Sequence, residues 1–165
     1  MADIQIWLLK TEPQTYSIDD LARDNRTCWD GVRNYQARNY MRDGMKVGDG
    51  VLIYHSSTDP AGVAGIANVA RDAYPDHTAL DKKNDHYDPK ASMDNPIWMM
   101  VDVAFVEKFD EIVTLATLKK TKGLEKMLVL QRGQRLSVMP VEPAHFEIVR
   151  KLAKDRASCA AGGNQ

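Results

Sequence analysis

The 165-residue sequence predicts an α+β domain, a small barrel of mixed and antiparallel strands flanked by short helices. Three observations lead there. Apolar residues alternate with period two in several separate short runs, the pattern of strands with a covered face. Segments with helical apolar spacing, bounded by capping or breaking residues, interleave with those runs. The length suits one domain, which at this size buries roughly 70% of the surface that the unfolded chain exposes. The domain is expected at residues 1–153, and a disordered tail at 154–165, where apolar periodicity fades.

Residues 4–9 place Ile4, Ile6 and Leu8 on one side and Gln5, Trp7 and Leu9 on the other, which reads as a central strand covered on both faces. Ser17 stands three residues before Asp20, a capping pair for a short helix reaching about Asp24. A second helix is expected from Asn34 to Asp43, with Gly44 as its stop. Lys46 to Asp49 is a tight turn before a buried strand at 51–54, and 61–71 is a further strand interrupted by Gly62 and Gly65. At 97–109, Ile97, Met99, Val101, Val103, Phe105 and Phe109 share one face of a strand. Residues 72–96 hold six acids and three prolines without a sustained period, a long loop of the kind that serves as lid or binding element. Helices are expected at 114–120 and 124–130, a strand at 136–138, and a last helix from about Pro143 with Phe146, Val149 and Leu152 inward.

Composition narrows the function. No apolar run approaches the roughly 20 residues needed to span a bilayer, and the opening MADIQIWLLKTEP lacks the basic and apolar regions of a signal peptide, so a cytoplasmic, non-membrane chain is expected. Cys28 and Cys159 offer no disulfide framework, the four histidines share no zinc spacing, and the Asp-rich stretch at 81–88 misses the calcium-loop pattern. Neither metal nor cofactor is expected. The net charge of −1 excludes a uniformly basic surface that wraps nucleic acid. Local runs differ: six basic residues stand against Glu125 between 114 and 135, and Arg33, Arg38, Arg42 and Lys46 against Asp43.

Two stretches could carry binding chemistry. Trp7, Lys10, Thr11 and Glu12 end the first strand, and Trp29-Asp30-Gly31-Val32-Arg33-Asn34-Tyr35 leads into a helix start, where glycine admits an anion and arginine and asparagine donate to a phosphate or base edge. The alternative is structural, with Asp30 or Asn34 capping the helix and Trp29 and Tyr35 filling core. His55-Ser56-Ser57 suggests a hydrolase only weakly, because adjacent strand residues point to opposite faces and no nucleophile elbow or orienting carboxylate accompanies them.

Specific blocks then mark a resemblance. Trp7 to Pro13, Tyr16 to Leu21, Trp29 to Asn39, Lys46 to Asp49, Tyr54 to Ser56, Ala73 to Asp76, Tyr87 to Lys90, Trp98 to Val103 and Arg135 to Val141 are similar to the signature blocks of EVE domains, across nearly all of 6–152. His86 departs from the pattern, standing where the family has a second tyrosine. The resemblance implies a PUA-like barrel whose pocket accepts a modified base, such as 5-methylcytosine or 5-hydroxymethylcytosine in DNA, or a modified base in RNA. The leading expectation is a non-catalytic module with nucleic acid as partner, and a monomer is expected. Stacking faces would come from Trp7, Trp29, Tyr35, Tyr87 or Trp98, and edge contacts from Lys10, Thr11, Glu12, Asp30, Gly31, Asn34, His55, Ser56 and Ser137. Arg33, Arg38, Arg42, Arg132 and Arg135 are the phosphate candidates. Two other readings stay open: a nuclease or base-modifying hydrolase using His55, Glu12 or Asp102, and a module for a free nucleotide or small molecule.

Overall fold

The first strand, β1 (Ile6–Thr11), is interior and covered on both faces, though it lies beside the edge strand rather than at the centre of the sheet. It pairs in parallel with β3 (Gly50–His55) and antiparallel with the short edge strand β6 (Val138–Val141). β3 continues antiparallel to β4 (Gly62–Pro75), β4 to β5 (Met99–Thr114), and β5 to β2 (Arg26–Trp29) at the opposite edge. The computed structural model describes residues 4–162, with side chains as far as residue 155. Most of the tail expected at 154–165 falls outside the described side chains; the last helix, α4, spans Pro143–Gly162.

The sheet curls until side chains of all six strands meet in one cluster. Trp7 and Leu9 enter it from β1, beside Trp29, Ile53, Ala67, Val103 and Val138, and Leu21 and Met41 close it from the helical segments. Alternation sends Ile6 and Leu8 to the other face, where Leu52, Phe109, Leu118 and Val149 form a second cluster under α3 (Leu115–Lys120) and α4. Each fully buried side chain contributes about 1.5–3 kcal/mol, so the two-sided β1 anchors both clusters.

Local chemistry explains several elements. α1 (Ile18–Asp24) starts at a complete capping box, with Ser17 Oγ accepting from Asp20 N–H and the Asp20 carboxylate accepting from Ser17 N–H. Asn34 is the N-cap of α2 (Tyr35–Asn39), its side chain accepting from Ala37 N–H. The helix expected to run on to Asp43 instead widens into a π-helical turn, Tyr40–Gly44, closed by Met45 N–H on the Tyr40 carbonyl. Gly44 does more than stop the helix, since a Cβ there would stand 2.7 Å from the Trp7 ring. The turn at 46–49 is held by Asp49, whose carboxylate accepts from Lys46 N–H, Gln5 N–H and the Trp7 indole.

Other expectations are corrected. β2 carries no strand signal in its own sequence and forms because β5 offers it a ladder. β5 is not one alternating strand. Its register against β4 slips between Phe105 and Glu107, so Phe105 packs on the first cluster and Phe109 on the second. Ile97, placed on that face, precedes the strand in a left-handed conformation at φ 60°. No α-helix forms at 124–130. Three-residue turns link Leu124 to Thr121, Met127 to Leu124 and Leu130 to Met127, which bury the same positions a helix would, and only Leu128–Leu130 is a 3₁₀ turn. β4 runs to Pro75 and shortens the long loop, which then folds through a 3₁₀ turn at His77–Leu80. Asp81, Asn84 and Asp88 accept from the backbone N–H two residues on, which uses three polar side chains of this stretch as turn formers. Among the described residues no helix is long and apolar enough to cross a membrane.

Candidate functional site

A cleft opens where β1 and β2 end side by side. Its deeper part, about 390 Å³, is lined by Lys10 and Thr11 from β1, by Thr27, Cys28 and Trp29 from β2, and by Tyr16 and His86 from the loops above. An adjoining part of about 370 Å³ shares Lys10, Thr11, Trp29, Asp30 and His86, and adds Glu12, Gly31, Arg33 and Ser137. Both volumes fall in the range of ligand pockets, roughly 300–1,000 Å³.

The aromatic wall is built edge to face. Tyr16 meets Trp29 at 88° with ring centroids 6.3 Å apart, and its hydroxyl donates to Asp24 Oδ2 at 2.8 Å. Burial and this carboxylate raise the Tyr16 hydroxyl pKa to about 12. Thr11 Oγ1 donates to the Tyr16 carbonyl at 2.7 Å, tying the loop to the strand end. Lys10 stands 5.8 Å over the Tyr54 ring, and burial lowers its ammonium pKa below that of a free lysine. Glu12 and Asp30 form no ion pair among the described residues, so their carboxylates are available to a ligand, whereas the Lys10 ammonium is turned to Tyr54 on the other face of the sheet.

A residue without a place among the sequence candidates holds the cleft's shape. Asp76 is completely buried and accepts from Gly31 N–H at 2.8 Å, from Arg33 Nη1 at 3.0 Å, and from the Thr78 amide and hydroxyl. Burial alone would raise its pKa; the Thr78 hydroxyl, Gly31 N–H and Arg33 outweigh that and keep the carboxyl below the ordinary carboxylate range. Arg33 spends all of its N–H donors inside the protein, on the His86 and Val32 carbonyls, Asp76 and Thr78. Expected as a phosphate contact, it is instead a strut between the Asp76 turn and the His86 loop. Gly31 sits at φ 82°, and a Cβ there would lie 2.7 Å from the His86 ring. The left-handed glycine thus lets that imidazole form the cleft wall.

The remaining candidates divide by location. Lys10, Thr11, Glu12, Trp29, Asp30, Gly31 and Ser137 converge on the cleft. Trp7 is core, its indole bound to Asp49 and its ring 5.7 Å from Tyr40. Asn34 is occupied as a cap. His55 is buried and accepts Ile18 N–H through Nε2, and burial lowers its pKa; Ser56 hangs on the Thr11 carbonyl. Tyr87 lies half-buried outside both parts of the cleft. Trp98 is buried with its indole on Asp88, and exposed Tyr35 stacks on it. Of the three acid–base candidates only Glu12 reaches the cleft, since Asp102 is held by Arg26 and by the Tyr74 hydroxyl. Arg42 pairs with Asp43, whereas Arg132 and Arg135 are exposed, without ion pairs among the described residues, on the turn leading to Ser137. Tyr16, Cys28, Asp76 and His86 were not among the expected contacts, although Tyr16 and Asp76 stand in the family-like blocks Tyr16 to Leu21 and Ala73 to Asp76 and His86 marks a departure from the pattern.

Curled mixed sheet, flanking helices and a cleft at the strand ends together define a PUA-like α+β domain. The chain belongs to the EVE domain family, whose sequence model matches residues 5–152. It is 42% identical to human thymocyte nuclear protein 1 over 170 residues, covering 92% of this chain and 75% of that one. A hypothetical protein from Leishmania major superposes with a TM-score of 0.90 at 48% identity, over 94% of this chain and 98% of that one. The human THYN1 protein, crystallised in complex with DNA containing 5-methylcytosine, superposes with a TM-score of 0.83 at 42% identity, over 90% and 97% of the two chains.

Proposed function

We propose that the chain recognises a modified base in nucleic acid, taking one base out of its stack into the cleft at the ends of β1 and β2. One observation carries the reading: aromatic faces of Tyr16 and Trp29 stand beside Glu12 and Asp30, whose charges no ion pair consumes among the described residues. The complex of the human relative with 5-methylcytosine DNA supports it. A carboxylate accepts from the cytosine amino group, which suits Glu12 or Asp30.

Magnitudes decide what else the site needs. Stacking supplies roughly 1–3 kcal/mol, and extrusion from a duplex costs a few kcal/mol, so the two are about balanced. Phosphate contacts tip the balance, and of the arginine candidates Arg38, Arg132 and Arg135 make no ion pair among the described residues. Burying one methyl group adds about 0.8 kcal/mol, a preference of only about fourfold. Greater selectivity requires a polar group that the wrong base leaves unpaired.

The test is fluorescence anisotropy on matched oligonucleotides, with and without a single 5-methylcytosine or 5-hydroxymethylcytosine, as DNA and as RNA. The modified strand is expected to bind at least about fourfold more tightly, and Glu12→Gln to lower affinity by about 1–3 kcal/mol through loss of a charged hydrogen bond. Equal affinity for modified and unmodified strands in both polymers would sink the proposal.

A further inference from the structure

Outside the cleft, an aromatic surface lies open beside it. Tyr35 is 57% exposed, and one of its faces packs on Trp98 with ring centroids 4.9 Å apart and planes 29° from parallel. Trp98 is fixed from below, buried, with Nε1 donating to Asp88 Oδ2 at 2.7 Å. The exposed ring is therefore seated on a rigid support, and holding it there costs a ligand little ordering entropy.

Cations edge this surface. The Arg38 guanidinium lies 4.9 Å from the Tyr35 ring centroid, and Arg33 lies 5.4 Å from that of Trp98. Arg38 donates through Nη1 to the Ile97 carbonyl and through Nε and Nη2 to Asn39, which leaves two of its N–H groups without an acceptor among the described residues. Arg33 also lines the cleft, so the aromatic surface and the cleft are continuous.

We infer that the open face of Tyr35 is a second stacking site, taking the base that neighbours the one held in the cleft, with Arg38 on the intervening backbone. The inference rests on the base-in-cleft reading. An aromatic ring with an adjacent unsatisfied guanidinium is the pairing that binds single-stranded nucleic acid, because every base has a π-face and every step a phosphate. Such a site adds affinity without reading sequence.

The experiment compares wild type with Tyr35→Ala and Tyr35→Phe on three probes: 5-methyl-2′-deoxycytidine, a short single strand carrying one 5-methylcytosine, and its unmodified counterpart. Tyr35→Ala is expected to weaken both strands by the same factor, about 5- to 150-fold. The preference for the modified strand and the affinity for the nucleoside stay unchanged, and Tyr35→Phe, which keeps the ring, retains binding. Strand binding undiminished by Tyr35→Ala overturns the inference, as does an equal loss on the nucleoside, which would put Tyr35 in the cleft's own site. If wild type binds both strands equally and Tyr35→Ala weakens both, the second site stands and the cleft reading falls. If wild type binds no strand, both fall.

Discussion

Asp76 shows how much a single residue can fix. Its buried carboxylate holds both the Gly31 amide and the Arg33 guanidinium, and Arg33 passes the restraint on to the His86 carbonyl. Removing one partner of a buried ion pair costs about 3–5 kcal/mol, so Asp76→Ala is expected to lose that much in urea unfolding. Asp76→Asn keeps the shape and loses the charge, and should cost less. The carboxyl sits below its ordinary range when folded, so its contribution is full above the unfolded pKa of about 3.9 and is lost as pH falls through the lower folded value. The urea-midpoint gap between wild type and Asp76→Asn should therefore shrink in acid; a gap constant from neutral pH to pH 3 would show that the charge is not what matters. In the sequence Asp76 is one acid among six between 72 and 96. The block Ala73 to Asp76 marks it, and Thr78 binds it from two residues on, but its cleft partners Gly31 and Arg33 lie 45 and 43 residues away, so its bracing role has no local mark. Glu12 and Lys10 are easier to read, since a strand end beside a family block already places them together.

Among the elements, α1 depends on a long-range cap as well as a local one. Its box of Ser17 and Asp20 is visible in four consecutive residues, but Ile18 N–H is satisfied by His55 Nε2 from the end of β3, at 3.1 Å. That bond needs an unprotonated nitrogen. Burial, the largest influence on His55, lowers its pKa, with Lys108 adding to the shift and Asp19 opposing it. Stability tied to neutral His55 is present above the unfolded pKa of about 6.5 and is lost as pH falls below it towards the depressed folded value. Wild type should thus lose stability as pH falls below about 6.5, and His55→Gln, whose amide oxygen can accept the same bond without titrating, should flatten that decline. Parallel urea-midpoint profiles for the two proteins would exclude His55 as the titrating group. The same contrast of near and far contacts explains which elements could be read. α1, α2 and α3 begin at side chains that bond within three residues, and all three starts are legible. β2 exists only as a partner to β5, and the slip near Phe105 depends on how β5 meets β4, so neither leaves a mark in its own segment.

At the scale of the whole molecule, the net charge of −1 limits how the chain can hold nucleic acid. Arg26, Arg33 and Arg42 are each paired with a carboxylate on the protein, which removes them from long-range attraction. Of the candidate phosphate contacts Arg38, Arg132 and Arg135 remain, in line with a site that uses a few phosphates around one extruded base rather than a wrapped duplex. Each phosphate neutralised contributes about −0.9 to the slope of log K against log salt on duplex DNA and about −0.7 on a single strand. Three contacts give slopes of about −3 and −2. Anisotropy titrations across a salt series should return these values, and the double variant Arg132→Gln, Arg135→Gln should lower the duplex slope to about −1. Its preference for the modified base should not change, because phosphate contacts position the strand and carry no information about the base. A slope left intact by the double variant would remove both arginines from the interface, and a lost methyl preference would mean that the 131–137 turn shapes the cleft through Ser137 rather than holding the backbone.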